Sequence, residues 1–385
     1  MANMKLTEAK RAKKDEFYTQ WPDIEREMNA YLEFNPDVFR NKTLLLPCDD
    51  PEWSNFTKYF ALHFEQYGLK KLISTSYAPS SNPAVDDEEY QPTLFEIESD
   101  NYDRDKSLKR GKIYTLDRLD INNDGKINID DLKFEYLEGD GDFRSEEVTA
   151  LRNEADMVIT NPPFSLLRSF VSWITEGGVE FSFIGNQNAI TYKEIFPLIM
   201  GNQMWLGKGF KSAVGFFRSP YEDTAVATDK QEGYIRISGV NWFTNIDHGR
   251  RHEPMRLMSM EENERFNKKV IESDNAYREY DNYEAIEVPF TNAIPNDWLG
   301  VMGVPISFLD KYSPEQFEIL GMAENEDLYG LKSRVYTSAE KKEAYQKKFG
   351  KPGNYDLNAS GVIDKGDYLE KVYQRIFIRK ASVQD

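Results

Sequence analysis

The feature that most constrains the fold is a short apolar run, Ala155 to Thr160, followed directly by Asn161, Pro162, Pro163 and Phe164. The run is bounded and rich in β-branched residues, which is typical of a buried strand. Two consecutive prolines then exclude both a helix and a continued ladder, because proline has no N–H and a fixed φ. The sequence therefore predicts a rigid polar loop at a strand end, where open α/β sheets bind ligands.

The residue types in this loop suit methyl transfer to an amino nitrogen. The exocyclic amine of adenine is a poor nucleophile, because its lone pair is delocalised into the ring. The Asn161 side-chain oxygen and the Pro162 carbonyl can accept hydrogen bonds from such an amine, and Pro163 adds no competing donor. Phe164 offers a ring on which a flipped base can stack. The tripeptide alone is also typical of a simple turn after a strand.

Further blocks, in order along the chain, resemble the EcoRI-type adenine-specific DNA methyltransferases. Besides Asn161 to Phe164, they are Asp15 to Gln20, Cys48 to Pro51 with Ser54 to Phe56, Glu138 to Ser145, and Ile184 to Leu198. The resemblance extends from about residue 13 to the C-terminus. It implies S-adenosylmethionine as the methyl donor, an adenine in duplex DNA as the acceptor, and N6-methyladenine as the product.

The resemblance also implies a set of cofactor-binding residues: Phe17, Tyr18, Thr19, Cys48, Asp49, Asp50, Asp142, Phe143 and Asn161. In the family, the N-terminal motif closes over the cofactor, and the positions of Asp142 and Phe143 contact its adenine moiety. Asp49 is a candidate partner for the cofactor's ammonium group. The chain departs from the family pattern twice. The usual glycine-rich turn after the first strand is absent, and the predicted second strand, Leu69 to Ser76, ends without the acidic residue that normally binds ribose hydroxyls.

These motifs also have plainer structural interpretations. Asp15 to Thr19 suits a helix N-terminal region, and Gly139 to Asp142 suits an ordinary turn. Asp49 or Asp50 suits an N-cap of the helix predicted from Trp53 to Tyr67, a role compatible with cofactor binding. The single cysteine, Cys48, excludes an internal disulfide and indicates a reducing compartment.

The chain of 385 residues is too long for one core of ordinary size, and its hydrophobic content of 40% is ample for burial. We expect an α/β fold, with a Rossmann-like methyltransferase domain and a central, mostly parallel sheet over residues 1–250. An acidic insertion is expected at about 78–135. A smaller C-terminal target-recognition region should cover 251–385, with its last strand a candidate for return to the core. Residues 233–237 and 240–244 predict a β-hairpin that completes the catalytic sheet.

The formal net charge of −18 argues against a nucleic-acid partner, because phosphate neutralisation supplies much of the affinity for DNA. The charge is unevenly distributed, since acidic residues are dense before residue 142 and basic residues recur after residue 207. We therefore expect double-stranded DNA to bind through Lys208, Lys211, Arg250 and Arg251. The lysines at 341–351 are equally typical of a solvated helix face.

Two segments resemble calcium loops. In the first, Asp120, Asn122, Asp124, Lys126 and Asp131 occupy ligand positions of a twelve-residue loop, where the ion would be structural. The same segment is also typical of an Asn-Asp-Gly turn in a surface hairpin. The second segment, at 356–367, favours a turn between strands.

The sequence as a whole predicts a site-specific DNA adenine-N6 methyltransferase that flips its target base. One alternative is an amino-methyltransferase that acts on a protein glutamine or on RNA. Another is a calcium-dependent interaction protein with an inert methyltransferase fold. We expect a cytoplasmic protein without a membrane segment, because no apolar stretch could cross a bilayer and no signal peptide is recognisable. A cognate restriction endonuclease, or none, is expected as its partner.

Overall fold

The computed structural model describes residues 18–50, 54–78, 97, 99, 101–210, 214–218 and 234–381. The chain divides into two compact units, Met1–Gly249 and Arg250–Asp385. Phe17 and Lys211, both predicted site residues, lie outside the described residues. In the described part of the chain, no helix is long and apolar enough to span a membrane.

The first unit combines helices with strands. Its helices are α1 (Trp21–Phe34), α2 (Asn55–Leu62), α3 (Phe64–Tyr67), α4 (Arg104–Lys109), α5 (Glu146–Glu154), α6 (Leu167–Glu176) and α7 (Phe196–Met200). Its strands are β1 (Tyr18–Thr19), β2 (Thr43–Leu46), β3 (Lys71–Ser76), β4 (Lys112–Leu116), β5 (Lys133–Tyr136), β6 (Met157–Thr160), β7 (Glu180–Asn186), β8 (Trp205–Leu206), β9 (Val214–Arg218), β10 (Tyr234–Ser238) and β11 (Val240–Thr244).

An eight-stranded mixed sheet, in the order β5-β4-β3-β2-β6-β7-β11-β8, forms the centre of this unit. The four strands β3, β2, β6 and β7 are parallel, and the outer strands pair antiparallel. Every residue of β2 and of β6 is buried, as expected for a parallel sheet covered on both faces. The predicted α/β class is confirmed, but the sheet is not mostly parallel as expected, since three of its seven strand pairings are parallel.

The helices that flank the sheet show the expected apolar spacing. In α6, Leu167, Phe170, Val171 and Ile174 are buried at i, i+3, i+4 and i+7, which places one face against the sheet. The helix predicted from Trp53 to Tyr67 is instead two helices, α2 and α3, which meet at His63.

The predicted hairpin of residues 233–237 and 240–244 is wrong. β11 pairs with β7 and β8 and so completes the main sheet, whereas β10 pairs with β9 in a separate three-stranded sheet that also contains β1. Gly239, with φ of +69°, turns the chain between β10 and β11. Glycine adopts this left-handed conformation without strain, so the two strands can enter different sheets.

The predicted insertion is only partly described, because residues 79–96, 98 and 100 lie outside the described set. Its described part contains α4 and the antiparallel pair β4 and β5. β4 also pairs antiparallel with β3. The insertion therefore extends the main sheet by two strands, and the loop that joins them contains the first calcium-like segment.

The second unit has its own sheet and core. Its helices are α8 (Met260–Phe266), α9 (Lys268–Ile271) and α10 (Ser338–Phe349), and its strands are β12 (Ile286–Glu287), β13 (Met302–Pro305), β14 (Phe317–Met322), β15 (Val362–Asp364), β16 (Leu369–Lys371) and β17 (Arg375–Lys380). The sheet order is β12-β13-β17-β14. β15 and β16 form a separate antiparallel hairpin, and the second calcium-like segment ends in its turn.

The last strand stays in the second unit and does not return to the first sheet. β17 pairs with β13 on one side and with β14 on the other. Its residues Ile376, Phe377 and Ile378 are at most 1% exposed there, so the apolar burial that a return would provide is already achieved within the second unit.

Candidate active site

The site lies where the direction of strand succession reverses. The chain passes from β2 to β3 on one side of β2, and β6 and β7 follow on the other side. The crevice beyond the carboxyl ends of such a pair is the usual ligand site of an open α/β sheet. The segments that follow these two ends are Pro47 to Asp50 after β2 and Asn161 to Phe164 after β6. Both predicted motifs therefore meet at the same edge.

The loop after β2 is fixed to its neighbours through the backbone of Asp49. The Asp49 N–H donates to the Thr75 carbonyl at 2.9 Å. The Asp49 carbonyl accepts from the Thr57 hydroxyl at 3.2 Å and from the Ser74 hydroxyl. The loop is thus held against β3 and α2 in the absence of a glycine-rich turn.

The Asp49 side chain is 2% exposed. One carboxyl oxygen accepts from the Ser54 hydroxyl at 2.6 Å, and the other accepts from the Thr160 hydroxyl at 2.7 Å. Burial raises the pKa of Asp49 to about 7, although both hydroxyl donors oppose the rise. A carboxyl group that titrates near neutral pH therefore stands between the two motifs.

The Asn161 to Phe164 segment is the predicted short connection between a strand and a helix. Asn161 and Pro163 are half-buried and Pro162 is buried. A single 3₁₀ turn, Phe164–Leu166, leads into α6, and the Leu166 N–H donates to the Pro163 carbonyl at 2.9 Å. The Phe164 ring is 8% exposed and belongs to the main core cluster. Its stacking on a base stays a prediction.

The N-terminal motif lies beside the loop after β2. Tyr18 and Thr19 form β1, and the Asn55 side-chain amide donates to the Thr19 carbonyl at 2.7 Å. Asn55 is the first residue of α2, which begins directly after that loop. Ser54 caps this helix, because its hydroxyl accepts from the Phe56 N–H at 3.1 Å.

The loop that contains Asp142 packs against the end of β3. The Ala78 N–H donates to the Asp140 carbonyl at 2.7 Å. Gly141, with φ of +82°, lies so close to the Ser76 carbonyl that a Cβ atom would clash with it. This position therefore requires glycine on two counts. The loop is thereby placed at the carboxyl edge, next to the predicted cofactor site.

Asp142 and Phe143 have contacts that were not predicted. The Asp142 carboxylate accepts from the Arg144 guanidinium at 2.9 Å, and this bond raises the pKa of Arg144. The Phe143 ring is 3% exposed and packs edge-on against Phe170 and Trp173, each with a centroid distance of 5.5 Å. Their contact with a cofactor adenine stays a prediction.

The predicted DNA-binding residues differ in exposure. Lys208 is exposed. Arg250 is half-buried, and its charge opposes the effect of burial, which raises the pKa of Asp310. Arg251 is only 7% exposed, so little of its side chain is available to a phosphate. Lys208 and Arg250 therefore remain the better predicted contacts.

The calcium hypothesis for Asp120, Asn122, Asp124, Lys126 and Asp131 is not supported. Among the described residues, no group of three or more His, Cys, Asp or Glu side chains is arranged to hold a metal ion. The carboxylates bind backbone N–H groups of their own loop instead. Asp131 accepts from Ile121 at 2.8 Å and from Asn128 at 3.0 Å, and Asp120 accepts from Gly125 at 2.8 Å. The segment is thus the hairpin connection that was the alternative interpretation.

Sequence reasoning missed the hydroxyl groups around the site. Thr160, the last residue of β6, was assigned only to the apolar run, and Ser54 only to a family block. The side chains of Thr19, Thr75 and Ser76 are buried, and their hydroxyls have no hydrogen-bond partner among the described residues. The available signal was a cluster of Ser and Thr at the ends of otherwise apolar strands.

Comparisons with known proteins agree with this geometry. The family model described as "Adenine-specific methyltransferase EcoRI" matches residues 5–381. The chain is 38% identical over 323 residues to the Type II methyltransferase M.EcoRI of Escherichia coli, a match that covers 83% of this chain and 89% of the relative. It is 32% identical over 337 residues to the Type II methyltransferase M.MpnI of Mycoplasma pneumoniae, covering 85% and 89%. No solved structure matches the chain significantly.

Proposed function

The chain belongs to the family of EcoRI-type adenine-specific methyltransferases, and from this premise we propose that it methylates the N6 amine of an adenine in double-stranded DNA. The observation that carries the proposal is the meeting of Asn161 with the loop at Asp49 beyond the ends of β6 and β2. The parallel run of four strands with β11 antiparallel beside it also supports a Rossmann-like arrangement of the sheet.

The residues at this edge fit S-adenosylmethionine as the donor. The cofactor has ribose hydroxyls, and the buried Ser76 hydroxyl lies at the end of β3, where the usual acidic partner of ribose is missing. Asp49, the residue first expected to bind the cofactor's ammonium group, is 2% exposed, whereas Asp50 is half-buried and can neutralise that group beside Cys48. When bound, S-adenosylmethionine supplies a methyl group already activated by a sulfonium.

The catalytic loop then has two tasks, to hold the amine and to exclude water. The Asn161 side-chain oxygen and the Pro162 carbonyl accept hydrogen bonds from the two amine hydrogens, which favours tetrahedral geometry at nitrogen. As the nitrogen–carbon bond forms, the carbon–sulfur bond of the donor would break to leave a neutral thioether, and one of the two amine hydrogens would leave as a proton to water. Positioning of this kind accounts for much of the acceleration of a bimolecular reaction. Phe164 contributes the ring against which the flipped base packs.

The second unit is the proposed target-recognition region. It has its own sheet and its own buried clusters, which permits a separate task. Two relatives of the whole chain are named Type II methyltransferases, so a cognate restriction endonuclease is part of the proposal. Action on genomic DNA would place the protein in the cytoplasm.

Replacement of Asn161 by alanine tests the function. We expect Asn161→Ala to reduce methylation of duplex DNA by at least about a hundredfold, with cofactor affinity nearly unchanged, because the lost acceptor acts mainly in the transition state. Transfer of labelled methyl from S-adenosylmethionine to DNA measures the rate, and calorimetry measures the affinity. Asn101→Ala, at an exposed asparagine of the insertion, is the matched control.

The same labelling assay decides between substrate classes. Wild-type protein that labels RNA or a protein glutamine, and leaves duplex DNA unlabelled, would contradict the proposal. Turnover of Asn161→Ala at the wild-type rate would contradict the catalytic role of the loop.

A further inference from the structure

Asp49 joins two segments that are 111 residues apart in the chain. Its carboxyl group accepts from Thr160 at 2.7 Å across the crevice, and from Ser54 at 2.6 Å at the start of α2. All three side chains are at most 2% exposed. Thr160 is the residue directly before Asn161, so this single hydrogen bond connects the loop after β2 to the catalytic loop.

The remaining bonds of Asp49 make it a rigid support. Its N–H and its carbonyl are held by Thr75 and Thr57, so the backbone of Asp49 is fixed to β3 and α2, and the Ser54 and Thr160 hydroxyls orient its carboxyl group. Thr160 is β-branched, which leaves it few rotamers in a strand. With its hydroxyl fixed by Asp49, the backbone that leads into Asn161 has little freedom.

We propose that Asp49 is a positioning residue, which couples the loop after β2 to the catalytic loop and holds Asn161 in the orientation that accepts hydrogen bonds from the target amine. This inference rests on the proposed function and goes beyond it, since Asp49 was predicted as a cofactor ligand or as a helix N-cap. The carboxyl group acts through Thr160, and it need not touch the adenine.

Ionisation of Asp49 should be visible in the reaction. A carboxylate can accept from both hydroxyls at once, whereas a protonated carboxyl group must use one oxygen as a donor. Burial raises the pKa of Asp49 to about 7, the Ser54 and Thr160 hydroxyls lower it, and the adjacent Asp50 raises it. Among the described residues, Asp50 is the only charged group that acts on this carboxyl group. The methylation rate should therefore fall as the pH drops through about 7.

Thr160→Val removes the hydroxyl and keeps the branched shape. We expect the single-turnover methylation rate to fall about tenfold or more, while the dissociation constant for S-adenosylmethionine changes by less than about threefold. The acid limb of the pH–rate profile should disappear, because protonation of Asp49 no longer affects Asn161 once the Thr160 hydroxyl is lost. Thr160→Ser should restore both properties, and Asp49→Asn should abolish the limb.

Thr244→Val is the matched control. Thr244 lies in β11 and is as buried as Thr160, but its hydroxyl donates to the Phe181 carbonyl and not to Asp49. A role in packing alone would give similar effects in both valine variants and would leave the acid limb in place. Such a result would overturn the proposal.

Hydrogen exchange at residues 161–166 measures the link without any substrate. We expect exchange in this segment to be faster in Thr160→Val and Asp49→Asn than in wild type, and unchanged in Thr244→Val. If exchange follows this pattern but wild type leaves DNA unmethylated, the proposed function fails and the link stands. If wild type methylates DNA but neither exchange nor the acid limb responds, the link is wrong.

Discussion

Asp49 shows, at the scale of single residues, that the site is built at the expense of stability. Burial of a carboxyl group that has no cationic partner among the described residues disfavours its charged form. Hydroxyl donors reduce this cost without removing it. Buried ionisable groups with shifted pKa values are typical of functional sites.

The pH dependence of folding tests this cost. Folding raises the pKa of Asp49 from 3.8 to about 7, so its contribution favours the folded state below pH 4 and is lost as the pH rises through 7. Asp49→Asn should therefore be more stable than wild type at pH 8, by up to a few kcal/mol at about 1.4 kcal/mol per unit of pKa. At pH 4 the two proteins should be similar. Urea unfolding at both pH values measures the difference, and a less stable variant at pH 8 would contradict it.

The single residues of the site were only partly predictable from the sequence. Asn161 and its prolines could be assigned because their chemistry is local to four residues. The bond from Thr160 to Asp49 could not, because it spans 111 positions and depends on two strands being neighbours. For the same reason, the burial of Phe143 against Phe170 and Trp173 appeared only in the structure, whereas the Asp142 to Arg144 pair spans two positions and was overlooked.

At the scale of elements, strand segments were easier to predict than strand pairing. The buried runs of β2, β3, β6 and β7 are apolar and bounded, so their existence follows from hydrophobicity. The hairpin prediction at 233–244 failed, because two strands joined by a single glycine can also enter different sheets, and sequence alone does not show which neighbours are available. The break at His63 was missed because the apolar spacing continues through it.

The hairpin loop between β4 and β5 allows a prediction at this scale. Asp131 is 1% exposed and accepts from three backbone N–H groups, those of Ile121, Asn122 and Asn128. Asp131→Asn should reduce the free energy of unfolding by about 1–3 kcal/mol, because at least one partly buried N–H group loses its acceptor. The loss should be equal with calcium and with a chelator.

Asp130→Asn is the control for this loop, since it makes the same charge change at an exposed neighbour. Thermal unfolding of wild type and both variants, with and without calcium, completes the test. A calcium-dependent rise in the melting temperature of wild type that Asp131→Asn abolishes would restore the calcium hypothesis.

At the scale of the whole molecule, the motif blocks predicted the family better than the overall charge did. Family membership, predicted from those blocks, is confirmed by a match over residues 5–381. The net charge of −18 pointed the other way. Residues 250–385 contain 20 Lys and Arg against 24 Asp and Glu, so most of the excess acid belongs to the first unit. A total charge therefore says little about a local DNA-binding surface.

The salt dependence of DNA binding tests whether such a surface exists. If exposed lysines neutralise phosphates, affinity should fall steeply as salt is added, with a log–log slope of about −0.9 per contact. Lys208→Gln should weaken binding to any duplex sequence and make the slope less steep by about one contact, because phosphate contacts position the protein without reading bases. Lys126→Gln, at an equally exposed lysine in the acidic hairpin loop, should change neither quantity.

Fluorescence anisotropy with labelled duplexes at several salt concentrations, in the presence of S-adenosylmethionine, gives both the DNA affinity and the slope of its salt dependence. Equal slopes for wild type and Lys208→Gln would remove Lys208 from the DNA-binding surface, and a wild-type affinity independent of salt would argue against any such surface on this acidic chain.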